Sequence, residues 1–281
     1  MAYLNRCAAA AVTVSAIPLA GFLAACSPTN TDSASIDSAS TDSASSGGVE
    51  MLTVKVEETF PFDDTSFTQG LEVAPDGSLY VGTGMEGQSR IYRSTADGKE
   101  LASQDLDPAF FGEGITRVGD HLWQLTWQDN TAIKRDATTL DEVERTSFDG
   151  EGWGLCHRED ASEVIFSDGT AELRRMDPDT LAERERFTVS YEGQPVSGLN
   201  ELECVGDDIY ANIFTTTDIV RIDAETGRVE ALIDASALPN NASPDPNHVL
   251  NGIAHIPDSD GEFFLTGKRW PDLYRVTFEP N

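Results

Sequence analysis

A motif of strand, polar turn and strand occurs five times in this 281-residue chain, and it restricts the fold more than any other feature. The clearest copy is Asn200–Phe214, NELECVGDDIYANIF. Leu202 and Cys204 alternate with polar neighbours, Gly206-Asp207-Asp208 makes the turn, and Ile209 to Phe214 continues in β-favouring residues. Gln69-Gly70-Leu71 leads through Pro75-Asp76-Gly77 into Leu79-Tyr80-Val81. Glu113-Gly114-Ile115 leads through Gly119-Asp120 into Leu122-Trp123-Gln124. Trp153-Gly154-Leu155 and Asn251-Gly252-Ile253 open the remaining copies. The opening residues stand at 69, 113, 153, 200 and 251, so the spacings are 44, 40, 47 and 51. Strand repeats of this period predict an all-β fold, a five-bladed β-propeller with one copy per blade.

Each copy reads as two inner strands, then a third such as Ile219-Val220-Arg221-Ile222, then a fourth such as Arg228–Leu232 after a polar turn. The last copy lacks its fourth strand, because the chain stops soon after Val276. A spare strand, Leu52–Glu57, precedes the first copy. Pairing that N-terminal strand with the last blade closes the ring and removes an open sheet edge. Residues 49–281 are thus expected to form one propeller domain.

The residues before it read differently. Arg6 is the only charge ahead of an apolar run, Ala8 to Ala25, that is short and rich in small residues, as in a signal peptide spanning 1–25. The run ends in Leu23-Ala24-Ala25-Cys26, which resembles a bacterial lipobox, with Cys26 the lipidated residue. Residues 26–48 contain Asp-Ser-Ala-Ser three times and Ser46-Gly47-Gly48, a flexible tether with nothing to bury. An extracytoplasmic monomer, lipid-anchored to a bacterial cell membrane, is expected. The net charge of −30, with four lysines, argues against nucleic acid as a partner and against anionic lipid for the folded body. Acidic blade edges that resist edge-to-edge pairing account for that charge.

Cys7 falls in the signal segment. Cys156 and Cys204 lie on the first strands of adjacent blades, where an exported protein can oxidise them to a disulfide or keep them as buried thiols. Neither has the flanking Cys or His of a zinc site, and His121, His157, His248 and His255 form no spaced cluster, so no catalytic metal is expected.

Propeller topology converts the repeat into a site. First strands line the central channel, and second strands run back beside them, so first-strand starts and second-strand ends meet at one mouth. There the repeat diverges, bringing Gln69, Glu113, Trp153, Asn200 and Asn251 together with residues around Thr83, Trp127, Asp168, Phe214 and Lys268. A carboxylate, amides, indoles and an ammonium at one mouth are what a small-molecule pocket needs.

The segments FTQGL (67–71), GEGIT (112–116), LTW (125–127), EGWGL (151–155), NELE (200–203), ANIF (211–214), LNGIA (250–254) and TGKRWP (266–271) together resemble the plant and bacterial type of glutaminyl cyclase. The resemblance spans nearly all of residues 52–278. It implies a five-bladed propeller that converts the N-terminal glutamine of peptides or proteins to pyroglutamate with release of ammonia. By motif, Glu113 matches the catalytic acid, and Gln69, Trp127, Trp153, Asn200 and Lys268 match pocket residues, with Phe67 beside them. The family usually carries Trp where this chain has Phe214, so an apolar wall remains while an indole donor is lost. The resemblance leaves room for a structural cation in the central channel.

The residues suit that chemistry without the family. The substrate's own α-amine attacks its γ-carboxamide, so the nucleophile is already tethered. A carboxyl of raised pKa between Trp127 and Trp153 can protonate departing ammonia. Lys268 and Asn200 can donate to the developing oxyanion, and Trp faces can hold the substrate's ammonium or its aliphatic stem. The competing readings are a non-catalytic surface propeller that binds peptides or sugars, and a metal-dependent propeller lactonase.

Overall fold

The computed structural model describes residues 48–281, so the signal segment 1–25, Cys26 and nearly all of the tether lie outside the described residues. Among the described residues every regular element is a strand. Strand β1 (Glu50–Pro61) is followed by β2–β5 (Thr68–Val73, Leu79–Thr83, Arg90–Ser94, Glu100–Asp105) and β6–β9 (Gly112–Val118, His121–Thr126, Thr131–Asp136, Glu142–Ser147). Next come β10–β13 (Leu155–Arg158, Glu163–Ser167, Glu172–Met176, Glu183–Thr188) and a small hairpin, β14–β15 (Ser190–Tyr191, Gln194–Pro195). The chain ends with β16–β19 (Leu199–Val205, Asp208–Ile213, Asp218–Asp223, Val229–Asp234) and β20–β22 (Leu250–His255, Glu262–Gly267, Asp272–Pro280).

Strands β2–β5, β6–β9 and β10–β13 each form a four-stranded antiparallel meander. The rest join in one eight-stranded sheet of order β16-β17-β18-β19-β1-β22-β21-β20. Strand β1 does the joining. It pairs antiparallel with β22 from Leu52↔Pro280 to Pro61↔Asp272, and parallel with β19 from Glu50↔Ala231 to Thr53↔Asp234. The spare strand at the start of the domain therefore supplies the partner that β22 lacks. Inner strand β2 neighbours β6 and β20, β10 neighbours β6 and β16, and β16 neighbours β20, giving a propeller-like all-β fold.

The sequence shows why these strands can approach so closely. The residue after the opening position is glycine in four copies. A Cβ on Gly154 would collide with the carbonyl oxygen of Asn200 on the neighbouring strand. The fourth copy has Glu201 there instead, and it uses the side chain. Its Oε1 accepts from the backbone N–H of Leu71 at 3.1 Å, and its Oε2 accepts from that of Ile253 at 2.7 Å. One buried carboxylate thus ties three inner strands together across the channel.

Aromatic packing fills the space between arrays. Phe263 stacks on Phe278 with centroids 4.8 Å apart and packs at a tilt against Tyr210 at 4.9 Å. Cys156 on β10 and Cys204 on β16 form a disulfide, with Cα atoms 5.4 Å apart. The outer strands β9 and β13 are mostly exposed and rich in Glu and Arg, which suits edges that must not pair with other chains.

Candidate active site

Phe67, Gln69, Glu113, Trp127, Trp153, Asn200, Phe214 and Lys268, the residues expected to act on or hold the substrate, lie around one cavity of about 430 Å³. Gln69, Glu113 and Asn200 lie in β2, β6 and β16, while Phe67 and Trp153 just precede β2 and β10. Trp127, Phe214 and Lys268 each follow the end of a second strand. A recurring backbone bond sets these last three. Trp127 donates to the carbonyl of Phe111, Phe214 to that of Gly198, and Lys268 to that of Val249, at 2.8–2.9 Å. Each acceptor stands two residues before the opening position of its repeat.

Numbering from that opening position also locates Phe111 and Glu151, two residues to which the motifs assign no role. Two places before Gln69 is Phe67, two before Glu113 is Phe111, and two before Trp153 is Glu151. Phe111 also lines the cavity. Its ring packs edge-on between Phe67, at 6.1 Å, and Trp127, at 5.6 Å. Glu151 Oε2 accepts the indole N–H of Trp127 at 2.8 Å and that of Trp153 at 3.0 Å. Trp153 packs edge-on against Phe214 at 5.2 Å. The Lys268 ammonium sits 5.0 Å from the Phe214 ring centre and 5.1 Å from that of Phe67, within cation–π range. The belt is therefore closed: Phe67, Phe111, Trp127, Glu151, Trp153, Phe214, Lys268, and back to Phe67.

Inside this belt the polar groups are buried. Glu113 is 5% exposed, Lys268 4% and Asn200 2%. Gln69 Nε2 donates to Glu113 Oε1 at 2.9 Å, and Gln69 Oε1 accepts from Asn251 Nδ2 at 3.1 Å. Asn251 therefore acts behind Gln69. Asn200 Oδ1 is buried and has no hydrogen-bond partner among the described residues. A buried unpaired amide oxygen is costly unless a ligand supplies the donor.

Burial pushes the Glu113 carboxyl well above its ordinary range; the Lys268 charge opposes this and the negative Glu151 adds to it. Burial also lowers the Lys268 ammonium to about 8, against the pull of Glu113. For Glu151, burial works against the charge. Hydrogen bonds from Gln128, Trp153 and Trp127 outweigh it and hold the carboxyl below its usual range. Two carboxyls at one mouth thus have opposite tendencies, Glu113 towards the acid and Glu151 towards the anion, the pattern that assigns acid and structural roles.

Other mouth residues take structural partners. Asp168 is bound to Arg174 at 2.5 Å and to Thr170, away from the cavity lining. Trp123 is buried with its indole N–H on the carbonyl of Pro178, and Trp270 donates to that of His248 at 3.1 Å. Among the described residues no group of three or more His, Cys, Asp or Glu is placed to hold a metal ion. Glu201 accepts a backbone amide on each oxygen, while Glu203 and Glu72 each accept one, from His255 and Arg117.

The fold and cavity define a propeller-like protein with a belted aromatic pocket around one buried carboxyl of raised pKa. A glutamine cyclotransferase family model matches residues 29–278. The chain is 36% identical over 229 residues to a glutaminyl-peptide cyclotransferase of Arabidopsis thaliana, covering 79% of this chain and 70% of that protein. The crystal structure of Myxococcus xanthus glutaminyl cyclase matches with a TM-score of 0.77 at 33% identity, covering 84% of this chain and all of that one. The chain belongs to the glutamine cyclotransferase family.

Proposed function

We propose that this chain is a glutaminyl-peptide cyclotransferase that converts N-terminal glutamine of peptides or proteins to pyroglutamate. The observation that carries the reading is Glu113, a buried carboxyl whose pKa burial raises, in an aromatic pocket that also holds Lys268 and an unpaired Asn200 amide oxygen. The substrate α-amine attacks the γ-carboxamide carbon, a bond forms from the amine nitrogen to that carbon, and the bond to the amide nitrogen breaks. Glu113 gives its proton to the departing nitrogen and regains one from the new ring nitrogen, so ammonia leaves and the carboxyl is restored. Lys268 and the Asn200 side-chain N–H donate to the carboxamide oxygen as it gains charge, while the unpaired Asn200 Oδ1 accepts from the substrate amine. Trp127, Trp153 and Phe214 wall the glutamine stem, and Phe67 and Gln69 hold Lys268 and Glu113 in place.

The reading needs no metal or cofactor, because proton transfer and oxyanion stabilisation fall to side chains already at the cavity. The eight-stranded sheet is read as two blades joined through β1, giving five blades over residues 49–281. The preceding 1–25 and 26–48 are read as lipoprotein signal and tether, with Cys26 lipidated and the domain held as a monomer outside the cytoplasmic membrane. Incubation with a peptide beginning in glutamine should release ammonia and yield the pyroglutamyl peptide. A peptide recovered intact, with an unrelated carrier protein as control, would refute the assignment.

A further inference from the structure

We propose that the glutamine pocket continues across His248 and Arg269 into a second, polar subsite that takes the backbone of the residues following the glutamine. This rests on the reading above. A second cavity of about 390 Å³ lies against the first, and His248 and Arg269 line both. Its other walls include Asp64, Asn241, Ser243 and Pro271, so it is polar where the first is aromatic. With the glutamine side chain directed to the buried Glu113, the rest of a peptide must leave through the mouth. On one side the rim of the mouth is Trp127, 37% exposed. On the other, the mouth opens over His248 and Arg269 into a cavity large enough for further residues.

The partition is fixed and has groups to spare. The His248 carbonyl accepts from Asn240 Nδ2 at 2.8 Å and from Trp270 Nε1 at 3.1 Å. Its ring Nδ1 lies 2.7 Å from the carbonyl of Ser243, which makes Nδ1 the protonated nitrogen and leaves Nε2 as an acceptor in the neutral ring. Arg269 holds a left-handed backbone, φ 62°, which a long side chain adopts only when its surroundings impose it. The imposing contacts are its N–H on the carbonyl of Ser66 at 2.8 Å, Nη1 on that of Thr65, and Nη2 on Gln88 Oε1 at 3.1 Å. No carboxylate lies within 4 Å of its guanidinium among the described residues, and Nε carries no partner. An acceptor on His248 and donors on Arg269 are complementary to the N–H and C=O of a peptide unit. Asp245 lines the first cavity and Asp64 the second, so both already carry a carboxylate, which favours an uncharged backbone over a ligand carboxylate.

The test compares Gln-Gly-amide with Gln-Gly-Gly-amide and Gln-Gly-Gly-Gly-amide on the full chain. One or two added hydrogen bonds should raise kcat/KM about tenfold from the shortest to the longest. His248→Ala and Ser243→Trp, the latter filling an exposed wall of the second cavity, should each bring the ratio of long to short close to one. Equal kcat/KM for all three peptides in the parent overturns the subsite, as does an undiminished ratio in both variants. Failure to cyclise even Gln-Gly-amide overturns the cyclase reading itself, and the two failures are thus distinct.

Discussion

Gln69 donates its side-chain N–H to Glu113 Oε1 at 2.9 Å. That bond makes the two carboxyl oxygens of Glu113 inequivalent. With Oε1 committed as an acceptor, the proton of the neutral carboxyl belongs on Oε2. Gln69 is in turn oriented by Asn251, which donates to its carbonyl oxygen and to that of Thr68, both at 3.1 Å. An amide relay from a neighbouring array thus orients the Glu113 carboxyl, and Lys268, lowered to about 8 by burial, stands as the cation at the same cavity.

Glu113→Gln keeps shape and hydrogen bonding but removes the titrating proton. Turnover should fall roughly a hundredfold to ten-thousandfold, in kcat rather than KM when chemistry is slow. The acid limb of the pH profile comes from the substrate amine and should persist in the variant. On the alkaline side, Lys268 loses its charge near pH 8, and Lys268→Ala should abolish that limb while raising KM. A Glu113→Gln enzyme with near-parental turnover would remove Glu113 from the mechanism.

Cys26→Ala should release the protein from membranes or block its processing, because Cys26 closes a lipobox-like run. Fractionation of parent and variant decides the matter. Identical partitioning into the membrane fraction would show that the anchor lies elsewhere or does not exist.

The disulfide joins β10 to β16 across 48 residues. Non-reducing peptide mapping should recover Cys156 and Cys204 in one cross-linked pair. Replacing both with serine should cost about 2–4 kcal/mol, read as a fall in Tm. Two alkylatable thiols in the unfolded, unreduced protein would contradict the bond.

How far the site could be read in the sequence depended on the repeat. Gln69, Glu113, Trp153 and Asn200 occupy the same place in successive copies, and a closed array forces that place to one mouth. Phe111 and Glu151 were equally accessible two positions earlier, but their roles depend on side chains that reach between arrays, which strand patterning does not encode. Periodicity could not foresee that Glu201 would replace the usual glycine and bond two other strands. His248 and Arg269 had no repeat to announce them. The first ends the long connection between β19 and β20, and the second follows the pocket lysine and stands out only by its backbone.

Stability should rise on mild acidification. Burial raises Glu72 to about 7 and drives Glu201 and Glu203 above the ordinary carboxyl value of 4.5. A carboxyl whose folded pKa exceeds its unfolded one favours folding fully below the unfolded value, and that contribution is lost as pH rises through the folded one. Its window here runs from about 4.5 to 7 for Glu72. Asp177 works the other way. Arg184 and its turn amides pull it to about 2, so its contribution appears above 3.8 and fades only below that. Tm should therefore climb from pH 8 to about 5. Glu72→Gln, which keeps an acceptor for the Arg117 amide, should flatten part of that climb. A Tm independent of pH across this range would mean that these carboxyls titrate normally.

The last prediction concerns Glu151, which touches both tryptophans by their indole N–H groups and stands near Glu113 as a negative charge. It acts through other residues, so it is a positioning residue. Glu151→Gln offers a neutral acceptor to two donors and places an amide N–H beside the Gln128 amide that now donates to Glu151 Oε1. Bonds to a charged acceptor contribute about 1.5–3 kcal/mol each, so loosening the indoles should raise KM roughly tenfold or more. Tryptophan fluorescence should shift as the rings lose their fixed environment. The variant also removes a like charge that disfavours ionisation of Glu113. The Glu113 pKa should then fall, and any alkaline limb that it contributes should move to lower pH. Loss of packing alone would raise KM without moving that limb. If KM, fluorescence and the pH profile all match the parent, the belt does not need its carboxylate, and Trp127 and Trp153 are held by ring packing against Phe111 and Phe214.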